Sequence, residues 1–106
     1  MKNLNIAAMM KQAQMMQSRM QEVQDEVGQK TVEASSGGGM VNVTVNGKGE
    51  VVSIKIDPEV VKSDDVEMLE DLVLAAVNEA HRRADEMMKS ALSKIAGPLG
   101  GGFPFY

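Results

Sequence analysis

Apolar residues in the first quarter of the chain recur at helical spacing. Ile6, Met9, Ala13, Met16, Met20, Val23 and Val27 are separated alternately by three and four positions, a heptad seam held for three repeats. No Gly or Pro interrupts residues 4–27, so the pattern predicts one helix of about 36 Å at about 1.5 Å per residue. Asn3 or Asn5 is placed to cap its start and Gly28 to end it in the left-handed conformation. The period then changes to two. Val41-Asn42-Val43-Thr44-Val45-Asn46 and Val52-Ser53-Ile54-Lys55-Ile56-Asp57 alternate apolar and polar side chains around Asn46-Gly47-Lys48-Gly49, which reads as a hairpin turn. With Gly47-Lys48 as the loop, Val43 faces Val52 and Val41 faces Ile54, so the apolar sets share one face. Thr31-Val32-Glu33-Ala34-Ser35 reads as a weaker first strand with Val32 and Ala34 inward, joined to the second by Gly37-Gly38-Gly39. A three-stranded antiparallel meander results, polar on the side of Asn42, Thr44, Ser53 and Lys55.

Asp57-Pro58 closes the last strand and a short connection follows. Asp64, with Glu67 three residues on, is placed to cap a second long helix. Its apolar stripe runs Val66, Leu69, Val73, Ala76, Ala80, Ala84, Met87, Ala91, Ile95, a period near 3.6. The three central alanines form a small-residue groove suited to the close approach of another helix. Gly97-Pro98 stops this helix. The fold expected is α+β, in the order α-β-β-β-α: one domain over residues 1–96 and a Gly/Pro/aromatic tail over residues 97–106.

Composition adds that the core is thin. All three aromatics, Phe103, Phe105 and Tyr106, lie in the last four of 106 residues, so Met, Val, Leu, Ile and Ala must fill the interior. A chain this short buries only about two-thirds of its unfolded surface, which makes a homodimer the expectation. Leu4–Met10 is too short an apolar run for a signal or a membrane span, and a soluble cytoplasmic protein is expected.

Candidate chemistry is sparse. With no Cys and one His, a thiolate zinc site, a cysteine nucleophile and a multi-histidine metal site are excluded. Met9, Met10, Met15, Met16 and Met20 carry soft thioether sulfurs, but three of the five fall on the heptad seam and read as packing residues. His81 has no nucleophile or carboxylate placed with it in a triad-like order. Acidic residues 64–71 lack the alternating oxygen ligands and central Gly of a calcium loop, and Gly37-Gly38-Gly39 lacks the Lys-Ser/Thr of a phosphate loop. The expectation is a protein with no enzymatic site, no metal and no cofactor.

The distribution of charge says more than its sum of -4. Residues 1–21 contain Lys2, Lys11 and Arg19 and no acid; residues 59–71 hold six acids against Lys62. Residues 82–95 hold Arg82, Arg83, Lys89 and Lys94 against Asp85 and Glu86. If the two helices lie side by side, the start of the first and the end of the second project together away from the sheet, and both are basic. Opposite the seam, Lys11, Gln14, Ser18 and Gln21 are cationic or neutral hydrogen-bonding groups, a face that meets phosphates without repulsion. Lys2, Lys11, Gln14, Arg19, Arg82, Arg83, Lys89 and Lys94 are therefore the candidate DNA contacts.

Met10-Lys11-Gln12-Ala13-Gln14, Gly39 to Gly47, Ile54-Lys55-Ile56-Asp57-Pro58, Asp64-Asp65, Leu69-Glu70-Asp71-Leu72 and Asn78-Glu79-Ala80 occur in that order. Taken together over residues 9–96, they resemble the YbaB/EbfC family of bacterial nucleoid-associated proteins. The resemblance implies a tight, tweezer-shaped homodimer that binds duplex DNA through its helical arms and serves nucleoid organisation and gene regulation. It carries DNA contact to Lys11, Arg19, Arg82, Arg83 and Lys89. The alternative expectation is an adaptor for recombination or replication proteins, with weak DNA binding, docking them on the Met-rich helix and the aromatic tail. Neither reading involves a membrane or a small-molecule substrate.

Overall fold

The computed structural model describes residues 5–96. The expectations placed on Lys2, on Asn3 as a cap, on Gly97-Pro98 and on the tail lie outside them. In chain order the elements are α1 (Ile6–Gln29), β1 (Thr31–Ser36), β2 (Val41–Asn46), β3 (Val51–Ile56), α2 (Pro58–Lys62) and α3 (Val66–Ala96). The strands form one antiparallel sheet in the order β1-β2-β3. The expected α-β-β-β-α plan is observed, with one short helix added.

Asn5 caps α1 through its side-chain oxygen, which accepts from the Ala8 N–H at 3.3 Å. Gly28 does not end the helix. It continues to Gln29, and Lys30 leaves in extended backbone, because Gly28 keeps a negative φ and does not take the left-handed conformation of a cap. A Cβ at Gly28 would meet the Lys48 side chain at 3.0 Å. Gly47, inside the β2–β3 turn, donates its N–H to the Lys30 carbonyl at 2.9 Å and abuts the Val27 carbonyl.

The hairpin exists but its register is two residues from the expectation. Val41 pairs with Ile56, Val43 with Ile54, and Val45 with Val51 across a bulge after Thr44. Asn46 holds the turn wider than a two-residue loop: its side-chain oxygen accepts from the N–H groups of Lys48 and Glu50, each at 3.0 Å. A slip of two preserves the faces of residues 53–56, so Ile54 and Ile56 share the apolar side as expected, while the bulge sets Val51 rather than the expected Val52 opposite Val45.

The expected short connection contains α2. Asp57 accepts from the Glu59 N–H at 2.9 Å and Pro58 takes the first helical position, where its missing N–H costs nothing. Asp65, rather than Asp64, caps α3, accepting from the Met68 N–H at 3.0 Å. Asp64 instead turns the chain with φ 64°, a conformation that Asp tolerates better than most side chains.

The core is the face shared by sheet and α3. Val41, Val43, Val45, Ala34, Ala76, Ala80 and Ala84 are buried together, with Val32, Leu69, Leu72, Val73 and Val77 around them. The alanine groove thus receives the sheet, not another helix. Small side chains let α3 lie close over β1 and β2, and Ser36 Oγ donates to the Leu72 carbonyl at 2.6 Å at one end of that contact. On the same sheet face but beyond this cover, Val51, Ile54 and Ile56 of β3 remain 40%, 45% and 37% exposed.

Candidate nucleic-acid interface

α1 enters the sheet and α3 leaves it, so the two helices run antiparallel. They meet beside the β2–β3 turn, where Gln21, Gln24 and Asp25 face His81, Asp85 and Met88 across an open groove floored by Gly47, Lys48 and Gly49. From that level Lys11 lies about 20 Å back along α1, and Lys94 about 14 Å forward along α3, at about 1.5 Å per residue. Both are directed to the end of the helix pair away from the sheet. Val23 and Val27 of the seam are buried, Met16 and Met20 half-buried, and Ile6, Met9, Met10 and Met15 exposed.

The eight sequence candidates separate by environment. Lys2 lies outside the described residues. Lys11, Gln14 and Lys94 are exposed, and neither lysine has an ion-pair partner among the described residues. The other four cations are paired on their own helices. Arg19 reaches Glu22 at 3.3 Å, Lys89 reaches Asp85 at 3.0 Å, and both pairs are exposed. Such pairs contribute at most about 1 kcal/mol each.

Arg82 and Arg83 do not sit at the tip. They lie about 20 Å before the end of α3, at about 1.5 Å per residue, beside the edge strand β1. Arg82 donates Nε and Nη2 to Glu79 at 3.0 and 2.6 Å, and Nη1 to Glu86 at 2.7 Å. Arg83 donates Nε to Glu79 at 2.9 Å and Nη1 to the backbone carbonyl of Glu33 in β1 at 2.7 Å. The last contact occupies a carbonyl on an edge strand, where open backbone groups invite stray pairing.

Glu79 was not among the sequence candidates. Its spacing of three and four residues before the two arginines is the signal that could have found it. Hydrogen bonds from Arg82, then from Arg83, hold its carboxyl down at about 2 from an ordinary 4.5. The pairing raises Arg82 further above its already high value. A depressed carboxyl pKa adds stability that is complete above pH 4.5 and is lost as pH falls through 4.5 toward 2. The wild-type chain is therefore expected to melt above Glu79→Gln at pH 6 and together with it near pH 2. The effect is modest, since the Glu79 side chain is 34% exposed. Thermal melts showing an unchanged gap at both pH values would contradict this assignment.

Among the described residues, no group of three or more His, Cys, Asp or Glu side chains gathers as a metal site, and no helix is long and apolar enough to cross a membrane. The geometry offers two sets of cations on one helix pair: unpaired lysines near its free end and an arginine pair beside the sheet.

Comparison with known proteins agrees with the resemblance read from the sequence. A protein of Acetivibrio thermocellus named "Nucleoid-associated protein" is 59% identical over 97 residues, covering 92% of this chain and 86% of that one. "Nucleoid-associated protein TTE0040" of Caldanaerobacter subterraneus is 60% identical over 93 residues, covering 88% and 84%. In fold, the crystal structure of the uncharacterized protein HP0035 from Helicobacter pylori matches with a TM-score of 0.79 at 23% identity, over 90% of this chain and 100% of that one. The model of the YbaB/EbfC DNA-binding family matches residues 1–99, and the chain belongs to that family.

Proposed function

We propose that this chain is a nucleoid-associated protein of the bacterial cytoplasm that binds duplex DNA as a homodimer, contributing to nucleoid organisation and gene regulation. The observation that carries the reading is the pair of unpaired lysines, Lys11 and Lys94, brought near one end of the helix pair by the antiparallel packing of α1 and α3. Membership of a DNA-binding family supports it, as do the names of the relatives. Net acidity is compatible with this, because the acids of residues 59–71 lie around α2 and the start of α3, at the opposite end.

The second copy pairs at β3. Three of its apolar side chains lie on the core-facing side of the sheet, yet α3 leaves them uncovered. Among the described residues the outer backbone edge of β3 has no pairing strand, and such an edge needs a cover. Pairing there doubles the set to two copies each of Lys11 and Lys94.

Light scattering together with a salt series on labelled duplexes of differing sequence tests the reading. The expected mass is twice 11.4 kDa. For four to six phosphate contacts, affinity falls by about 10²–10³ between about 50 and 200 mM salt. A monomer at micromolar concentration, or salt-independent binding, would overturn it. The adaptor reading retains one specific observation in its favour, the roughly 60% exposure of Met9, Met10 and Met15. Retention of a recombination or replication protein that depends on Met10 and Met15, with no DNA shift, would replace the DNA reading with it.

A further inference from the structure

Glu79 occupies an unusual place for a surface carboxylate. Two guanidinium groups converge on one of its oxygens: Oε2 accepts from Arg82 Nη2 at 2.6 Å and from Arg83 Nε at 2.9 Å, while Oε1 accepts from Arg82 Nε at 3.0 Å. Planar guanidinium forks match phosphate as well as carboxylate, so the seat between the two arginines has the chemistry of a phosphate site that is already filled. Access is open, with the Arg82 and Arg83 side chains 55% and 49% exposed. Arg83 also remains tethered to β1 through the Glu33 carbonyl at 2.7 Å, so its guanidinium stays in place when its other partner leaves.

We propose that Glu79 is a built-in competitor for DNA phosphate: its carboxylate holds the seat between Arg82 and Arg83 that a phosphodiester oxygen takes in the complex. This rests on the DNA-binding reading above and adds to it a residue that sets affinity. Exchange replaces one oxyanion by another on the same donors, so the clamp contributes little net affinity while Glu79 is ionised. With its carboxyl held near 2, Glu79 stays ionised throughout the neutral range, and the competition is constant there. The two arginines then hold the duplex only where the lysine tips have already brought it close.

Four proteins decide the matter: the full chain, Glu79→Gln, Arg82→Ala with Arg83→Ala, and the triple variant. Each is checked by circular dichroism for retained helix and measured by fluorescence anisotropy on a labelled duplex at pH 7. Glu79→Gln uncovers about one cation per copy. It is expected to bind about five- to tenfold more tightly at about 100 mM salt, with a salt slope steeper by about one per clamp. The triple variant is expected to bind like the double arginine variant, since without the clamp there is nothing for Glu79 to compete for.

Unchanged or weaker binding by Glu79→Gln overturns the proposal. So does a gain that survives in the triple variant, which would mark a general charge effect. If the triple variant binds as tightly as Glu79→Gln while the full chain still binds with strong salt dependence, the clamp is refuted and the lysine-tip reading stands. If the full chain fails to bind DNA at 50 mM salt, the DNA reading itself fails, and the clamp with it.

Discussion

Replacing Gly47 by alanine is expected to destabilise the protein by about 3 kcal/mol or more, the upper part of the range for overpacking a close contact. The added Cβ would lie inside van der Waals contact of the Val27 carbonyl carbon and oxygen, and near Gly28 Cα at 3.0 Å. These are backbone atoms, which cannot swing aside as a side chain would. Relief requires α1 to lift from the β2–β3 turn, which breaks the 2.9 Å hydrogen bond from the Gly47 N–H to the Lys30 carbonyl. It also exposes Val23 and Val27, the two seam residues that are buried. Gly38→Ala is the control. Its φ of 67° is left-handed, but nothing lies within 4 Å of a new Cβ, so the cost is the backbone term alone, about 1–2 kcal/mol. Urea denaturation separates the two. Equal midpoints would mean that α1 does not dock on this turn.

Reversing both unpaired lysines, Lys11→Glu with Lys94→Glu, is expected to reduce DNA affinity at least about a hundredfold at about 100 mM salt, and the salt slope by about 3 to 4 for a dimer. Stability should stay within about 0.5 kcal/mol, since both side chains are exposed and neither has an ion-pair partner among the described residues. Arg19→Glu should weaken binding much less, because Glu22 at 3.3 Å already neutralises Arg19. Undiminished binding by the double variant would move the interface away from the helix tips.

Periodicity made most of the architecture legible. The spacing of Ile6 to Val27 marks α1 before any contact is known, and Val41, Val43 and Val45 announce a buried strand face that is fully buried in the structure. What periodicity misplaced was local. The hairpin register depended on how many residues Asn46 gathers under its side-chain oxygen, and the cap of α3 on which of two adjacent aspartates takes the left-handed turn. Neighbouring residues compete for such roles, and the energies that separate them are near 1 kcal/mol.

The site was less legible than the fold for a different reason. Residue type marks a cation but not its partner. Counting charge placed Arg82 and Arg83 with Lys94 in one basic block; the structure puts them beside β1, with Glu79 and Glu86 in their grasp. Glu79 and Glu86 were visible at helical spacing, but which side of α3 they share depends on where the alanine stripe packs. The same applies to Ala76, Ala80 and Ala84: small residues state that something comes close without stating what.

By itself, then, the sequence determined the elements, their order, the two faces of the sheet and the excess of cations at the start of α1. Each of these follows from short-range periodicity and composition, which a linear pattern contains. Tertiary structure alone decided that α3 buries its alanines on β1 and β2, that β3 keeps an uncovered apolar side, and that Arg83 reaches the Glu33 carbonyl of β1. These are long-range outcomes, set by which faces fit closely enough to exclude water, and no spacing along the chain encodes them.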